Sequence, residues 1–270
     1  MNDNEQMEKL HFLIQCLEEE MPEYAEYALP DDTRQAFDLY RALCNVRMPS
    51  GDTGHTLPDD FYAVQSEVLK SITGEKGVTE AAALPPAELD QRLSLWQGDI
   101  TTLRADAIVN AANSQMLGCF SPLHGCIDNM IHTMAGAELR EKCCQIMRTQ
   151  GHEEPTGRAK ITPGYNLPAR FVIHTVGPIV SGRITGKDKE LLASCYRSVL
   201  STASDHQLES VAFCCISTGV FHFPQDKAAE IAVSTVRSWL DAHPDTTVRR
   251  VIFNVFKDSD REIYRKILLG

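Results

Sequence analysis

The chain has 270 residues, 43% of them hydrophobic and 23% charged, with a formal net charge of −11 at pH 7. These figures fit a soluble globular protein built as one large domain, or as one domain plus an extension. The acidic balance argues against sequence-independent binding to DNA or RNA, which needs Lys and Arg to neutralise phosphates, while a small anion can still bind at helix N-termini and backbone amides.

Residues 1–90 read as a helical extension. The N-terminus, Met1-Asn2-Asp3-Asn4-Glu5-Gln6, is polar and acidic and does not resemble a signal peptide. Apolar residues at helical spacing predict a helix over 10–21 (Leu10, Leu13, Ile14, Leu17) and another over 32–46 (Ala36, Leu39, Tyr40, Leu43). Asp31-Asp32-Thr33 supplies the start signal of the second, and Pro58 leads into a third over 59–72. Pro49-Ser50-Gly51 and Gly74 punctuate the gaps. The extension is expected to pack and interact rather than to carry chemistry.

Residues 91–270 alternate strands and helices. Apolar runs predict strands over 93–96, 107–109, 171–176, 211–216 and 251–256, with a weaker one over 159–162. Helical patterns lie over 129–149, 188–206, 225–243 and 258–269. Continuous apolar strands between helices imply a sheet covered on both faces, hence a three-layer α/β/α domain. No apolar run approaches the roughly 18–20 residues of a membrane span. The nine cysteines are odd in number and irregular in spacing, so no disulfide framework is expected and the expected location is cytoplasmic. Cys143, Cys144, Cys214 and Cys215 sit in apolar or helical runs and read as small buried hydrophobes.

Ligands of such sheets bind where strand ends meet helix N-termini, and the unusual residues fall there. Asp99, after the first strand, either accepts from an amino group on a base or caps the next segment. Asn110-Ala111-Ala112-Asn113 offers amide donors and acceptors, or makes an Asx turn. Ser217-Thr218-Gly219-Val220-Phe221-His222-Phe223-Pro224 precedes a helix and can turn backbone N–H groups onto a pyrophosphate. Phe221 and Phe223 line a sugar or anchor that loop.

The densest chemistry lies in Cys119-Phe120-Ser121-Pro122-Leu123-His124-Gly125-Cys126-Ile127-Asp128. Two thiols and an imidazole fall within eight residues, and these are preferred donors for Zn²⁺. Three protein ligands leave a position open, as catalytic zinc sites do; a closed structural site needs a fourth, such as Cys143. The adjacent carboxylate suits a general base or a group that orients substrate.

Together these pieces resemble the macrodomain family. Gly98-Asp99-Ile100-Thr101, Ala107-Ile108-Val109-Asn110-Ala111-Ala112-Asn113, Gly157-Arg158-Ala159-Lys160-Ile161-Thr162-Pro163-Gly164-Tyr165, Ile173-His174-Thr175-Val176-Gly177-Pro178 and Ser217-Thr218-Gly219-Val220-Phe221 match its motifs in order and spacing over about 93–270. Hydrolytic members usually carry Gly-Gly-Gly-Val-Asp-x-x-Ile-His where this chain has His124-Gly125-Cys126-Ile127-Asp128-Asn129-Met130-Ile131-His132. With Cys119 upstream and a helical extension ahead, the chain resembles the zinc-containing macrodomains of bacteria. Those are ADP-ribosyl hydrolases, often linked to a sirtuin-type ADP-ribosyltransferase and to the lipoyl-carrier protein it modifies.

The resemblance implies a macrodomain with a central mixed sheet and one Zn²⁺ per chain on Cys119, His124 and Cys126. It implies Asp99 and Ile100 at the adenine, flanked by Asn254 and Phe256. Asn113 falls at the distal ribose, and Ile127 with Ser217, Thr218, Gly219, Val220 and Phe221 around the pyrophosphate. Asp128 matches the residue that positions or activates water, and Asp128 and Asn113 are the expected catalytic pair. His222 replaces a common glycine; it narrows the cleft or touches the zinc. His132 and His174 are expected to pack rather than catalyse. The implied reaction is hydrolysis of the C1″ bond joining mono-ADP-ribose to a protein side chain, through an oxocarbenium-like transition state. The carboxylate-linked ester is the expected linkage. Zinc would lower the pKa of a bound water towards about 7 or orient a ribose hydroxyl. The competing reading is an ADP-ribose reader that does not cleave, with a structural zinc.

Overall fold

The structure, a computed structural model, describes residues 1–26 and 28–269. The chain divides into two compact units. The first comprises Met1–Gly77, Leu117–His152 and Tyr165–Leu167; the second comprises Val78–Met116, Glu153–Gly164 and Pro168–Gly270.

The first unit is helical: α1 (Asp3–Glu20), α2 (Thr33–Val46), α3 (Ser50–Thr53), α4 (Asp59–Lys76), α5 (Ile127–Ala135) and α6 (Ala137–Gln150). Helix α1 starts a full two turns before its apolar stripe, because the Asn2 side chain accepts from Glu5 N–H at 2.9 Å and caps it. Asp32 caps α2 in the same way through Gln35 N–H. Leu10, Leu13, Ile14 and Leu17 of α1 are fully buried with Ala36 of α2 and Phe61, Val68 and Leu69 of α4. That shared apolar stripe is what the helical spacing in the sequence predicts. Arg47, only 2% exposed, joins Glu20 and Glu141 at 2.7 Å each and Ser50 Oγ at 3.0 Å. One guanidinium thus ties α1, α3 and α6 to the end of α2.

The single helix expected over 129–149 is two. The break is Gly136, whose backbone turns to φ 98°. A Cβ there would lie 2.6 Å from Gln65 Nε2, 2.7 Å from Glu138 Oε2 and 2.8 Å from Asn166 Nδ2. The Gln65 side chain accepts from Ala137 N–H at 2.9 Å and so holds the new helix start. Only glycine meets both the dihedral and the space.

The second unit holds β1 (Thr79–Glu80), β2 (Leu93–Gln97), β3 (Leu103–Arg104), β4 (Ala107–Ala112), β5 (Ala159–Pro163), β6 (Phe171–Val176), α7 (Gly186–Asp205), β7 (Ser210–Phe213), α8 (Gln225–Ala242), β8 (Arg250–Val255) and α9 (Asp258–Leu268). Six strands form a mixed sheet in the order β2-β8-β7-β4-β6-β5, with only β5 antiparallel to its neighbour. Helix α7 packs on β5 and β6, α9 on β2 and β8, and α8 lies between those two helices. The strand expected over 211–216 ends at Phe213; Cys214-Cys215-Ile216 leave the ladder and start the loop towards α8. Strands β1 and β3 pair in parallel over two residues each, too short to show a period in the sequence. Because β2, β8, β7, β4 and β6 run the same way, their C-terminal ends share one rim.

Candidate active site

On that rim of the second unit, Gly98 follows β2. A Cβ at 98 would collide with the Trp96 ring, so the turn needs glycine. Asn254, at the end of β8, donates from Nδ2 to Gly98 O at 3.0 Å and to Trp96 O at 3.5 Å. Asp99 Oδ1 accepts from Thr101 N–H at 3.0 Å and from Thr101 Oγ1 at 2.6 Å, which is the capping role foreseen for it. Ile100 is buried and Phe256 is 75% exposed. Asp99, Ile100 and Asn254 therefore share one strand-end cluster, with Phe256 open to solvent beside it.

After β4, Asn113 Oδ1 accepts from Gln115 N–H at 3.0 Å and Met116 N–H at 3.1 Å, an Asx turn that fixes the loop. Beneath it, the fully buried His174 meets Asn110 Nδ2 through Nδ1 at 3.1 Å and Thr162 Oγ1 through Nε2 at 3.0 Å. Burial lowers its pKa to about 3, so the ring is neutral and serves the core. This is the packing role expected of it.

The loop from Ser217 to Pro224 is tightly held. Phe223 N–H donates to Ser217 O at 3.0 Å, His222 N–H to Gly219 O at 3.1 Å, and Val180 N–H to Phe221 O at 2.9 Å. Thr218 Oγ1 donates to Cys215 O at 3.0 Å. Phe223 is 2% exposed and anchors the loop, while Val220 stands 62% exposed. His222 has φ 57°, in the left-handed region that glycine favours. Ser217, also left-handed at φ 65°, is buried, and its Oγ finds no hydrogen-bond partner among the described residues. A Cβ on Gly177 would collide with that same hydroxyl. A hydroxyl in a loop that also offers backbone N–H groups can donate to an anionic oxygen.

The metal-type residues lie in the first unit. Cys119, His124 and Cys126 are each half-buried, and their donor atoms fall within 4.8 Å of one another. Cys119 Sγ and His124 Nδ1 are 3.6 Å apart. Zinc bonds of 2.3 Å to sulfur and 2.0–2.1 Å to nitrogen, at tetrahedral angles, set that edge at about 3.5 Å. Chemistry and spacing both fit a zinc ion. Among the described residues the cluster has three donors, and Cys143 is not one of them. Burial pushes the Cys126 thiol up to about 11, with Cys119 and Asp128 adding negative charge. A thiolate there therefore calls for a neighbouring cation.

Helix α5 begins on this cluster. Cys126 is its N-cap, its Sγ accepting from Asn129 N–H at 3.4 Å. Ile127 is the first helical residue and is half-buried; Asp128 follows, 5% exposed, with Oδ1 3.6 Å from His132 Nε2 one turn on. The loop itself adopts left-handed backbone at Gly118 (φ 82°) and Leu123 (φ 55°), and a Cβ on Gly118 would lie 2.8 Å from the His132 ring.

Several residues that hold this loop have no motif around them. Arg41 Nη2 on α2 donates to His124 O at 2.8 Å and to Asn129 Oδ1 at 2.7 Å, and Asn45 Oδ1 accepts from Leu123 N–H at 3.0 Å. Arg140, 5% exposed on α6, donates to Leu117 O at 2.7 Å and stacks 4.4 Å from the Phe120 ring centre. Arg41 and Asn45 stand at i, i+4 on one face of α2. That face reads as solvated until the loop is set against it.

Comparison with known proteins follows the same lines. A family model described as Macro domain matches residues 109–232. The chain is 48% identical over 265 residues to a protein-ADP-ribose hydrolase of Treponema medium, spanning 97% of this chain and 99% of that protein. It is 42% identical over 266 residues to a probable bifunctional ADP-ribose hydrolase/ADP-ribosyltransferase of Fusarium oxysporum f. sp. cubense, spanning 93% of this chain and 44% of that protein. Among solved structures, the Trypanosoma brucei macrodomain in complex with ADP-ribose aligns with a TM-score of 0.65 and 31% identity, over 83% of this chain and 97% of that one.

Proposed function

The chain belongs to the macrodomain family, and from that premise we propose that it is a zinc-dependent protein-ADP-ribosyl hydrolase, removing mono-ADP-ribose from a modified protein side chain. One observation carries the reading. In a chain 48% identical from end to end to a protein-ADP-ribose hydrolase, two thiols and an imidazole converge within 4.8 Å at the start of the helix that bears Asp128.

Cys119, His124 and Cys126 would hold the ion. Bound there, zinc supplies Lewis acidity, which lowers the pKa of water or orients a ribose hydroxyl. The chain's own residues do the rest. Ser217 Oγ and backbone N–H groups of the loop from Ser217 to Phe221 bind the diphosphate, with Ile127 packing on it. Asp99, Ile100, Asn254 and Phe256 receive the adenine. The Asn113 amide binds the distal ribose. Asp128 orients the attacking water and takes its proton as the oxygen bonds to C1″ and the ester C1″–O bond breaks. The protein carboxylate leaves with the bonding pair, and Asp128 returns its proton to solvent.

The carboxylate linkage, a lipoyl-carrier target and a sirtuin-type partner enzyme rest on the resemblance of the loop from Cys119 to Asp128. The Fusarium relative, whose name joins a hydrolase to an ADP-ribosyltransferase, supports the link to a transferase. A cytoplasmic site of action accords with Cys119 and Cys126 standing unbridged. Among the described residues no helix is long and apolar enough to cross a membrane.

The test is release of ADP-ribose from a mono-ADP-ribosylated carrier, with zinc content measured on the same sample. The expected result is about one zinc per chain in the parent and turnover lost in Asp128→Ala and Cys126→Ala. Asp128→Ala should keep its affinity for free ADP-ribose. Binding of ADP-ribose by the parent with no release would make the protein a reader instead. Full turnover after the metal is stripped would leave zinc a structural part.

A further inference from the structure

We propose that Arg41 is a positioning residue for the metal-binding loop, so that the N-terminal helices set the geometry of the Cys119, His124 and Cys126 donors. The inference rests on the zinc reading above and assigns the extension its part in it.

The argument starts from the loop's own backbone. Gly118 and Leu123 are both left-handed, and Leu123 is a branched residue in a conformation that L-residues avoid. A loop of that shape does not hold itself; it has to be held. Arg41 does so through two contacts at once. Its Nη2 donates to the His124 carbonyl at 2.8 Å, and Nη2 and Nε donate to Asn129 Oδ1 at 2.7 and 3.1 Å.

Asn129 passes that grip on. It is fully buried. Arginine only donates, so Oδ1 must face Arg41 and Nδ2 must face away. Nδ2 then donates to Ser121 O at 3.1 Å and to Cys119 O at 3.5 Å, while the Asn129 backbone N–H donates to Cys126 Sγ at 3.4 Å. The Arg41–Asn129 pair therefore touches all three donor residues: His124 and Cys119 at their carbonyls, and Cys126 at sulfur. Asn45, one turn further along α2, holds Leu123 N–H. Lysine cannot replace Arg41, because one ammonium does not reproduce the planar fork.

The experiment measures zinc affinity of the full chain by competition with a coloured chelator. The parent is compared with Arg41→Ala, Arg41→Lys and, as a control, Arg148→Ala, which loses a surface ion pair with Asp52. Cobalt-substituted samples give a spectrum that reports on the donor set. Thermal unfolding of each metal-free protein is followed in parallel. The expected result is a 10- to 100-fold loss of zinc affinity in both Arg41 variants, the range known for groups that orient metal ligands. Their cobalt spectra should also change, and Arg148→Ala should match the parent. Arg41→Lys keeps the charge and the stem, so it carries the test if Arg41→Ala does not fold. Affinities within twofold of the parent, with only the metal-free unfolding temperature lowered, would make Arg41 a merely structural residue and overturn the inference. A parent that takes up no zinc would instead overturn the zinc reading and the inference with it.

Discussion

Lowering the pH should draw stability out of this protein through His174. The ring is fully buried between Asn110 and Thr162, and burial takes its pKa from 6.5 to about 3. As the pH falls below about 6.5 the unfolded chain binds a proton that the folded chain refuses. Stability is therefore whole above that point and falls steadily until about pH 3. Each pH unit in the window removes about 1.4 kcal/mol, so going from pH 7 to pH 5 should cost about 2 kcal/mol through this one ring. The variant for comparison is His174→Gln, which does not titrate. Urea unfolding, followed by tryptophan emission at both pH values, gives the loss for each protein. The parent should lose about 2 kcal/mol more than the variant between pH 7 and pH 5. Equal losses would mean that the ring takes its proton in the folded state, and the assignment of His174 to the neutral core would fall.

Three further variants probe the first unit. Gly136→Ala forces a Cβ into Gln65, Glu138 and Asn166 at φ 98° and should destabilise by about 1–3 kcal/mol, read as a lower urea midpoint with an unchanged slope. Arg47→Ala leaves Glu20 and Glu141 without their common partner in a largely buried setting; its cost should be about 3–5 kcal/mol by the same titration. The exposed pair of Arg148 and Asp52 provides the contrast, since Arg148→Ala should leave the urea midpoint close to that of the parent.

What could be read from the sequence was what is local. The strand over 171–176 shows its apolar character in consecutive residues, and the structure places it there to the residue. Cys119, His124 and Cys126 fall within eight positions, so any compact turn brings their donors near one another. The helix break at Gly136 was hidden, because glycine inside a helical pattern is tolerated and two of the side chains that crowd a Cβ there, Gln65 and Asn166, lie far away along the chain. Arg41 was hidden for a similar reason. Its partners lie 83 and 88 positions on, and a lone arginine on a polar helix face has the same local signature whether it meets water or a carbonyl. The left-handed backbone of Leu123 has no residue-type signal at all, since leucine does not favour it.

The patchwork make-up of the first unit sets a timetable for its birth. Arg47 must wait for Glu141, 94 positions later, before its second carboxylate exists. At synthesis rates of about 5–20 residues per second that is a delay of roughly 5–19 s. By its end, all the residues of helices α1 to α4 have been made, and the segment they are to clasp is only then reaching completion. The early helices are then a waiting cradle, and the clasp on Cys119, His124 and Cys126 closes only after the chain has returned to it.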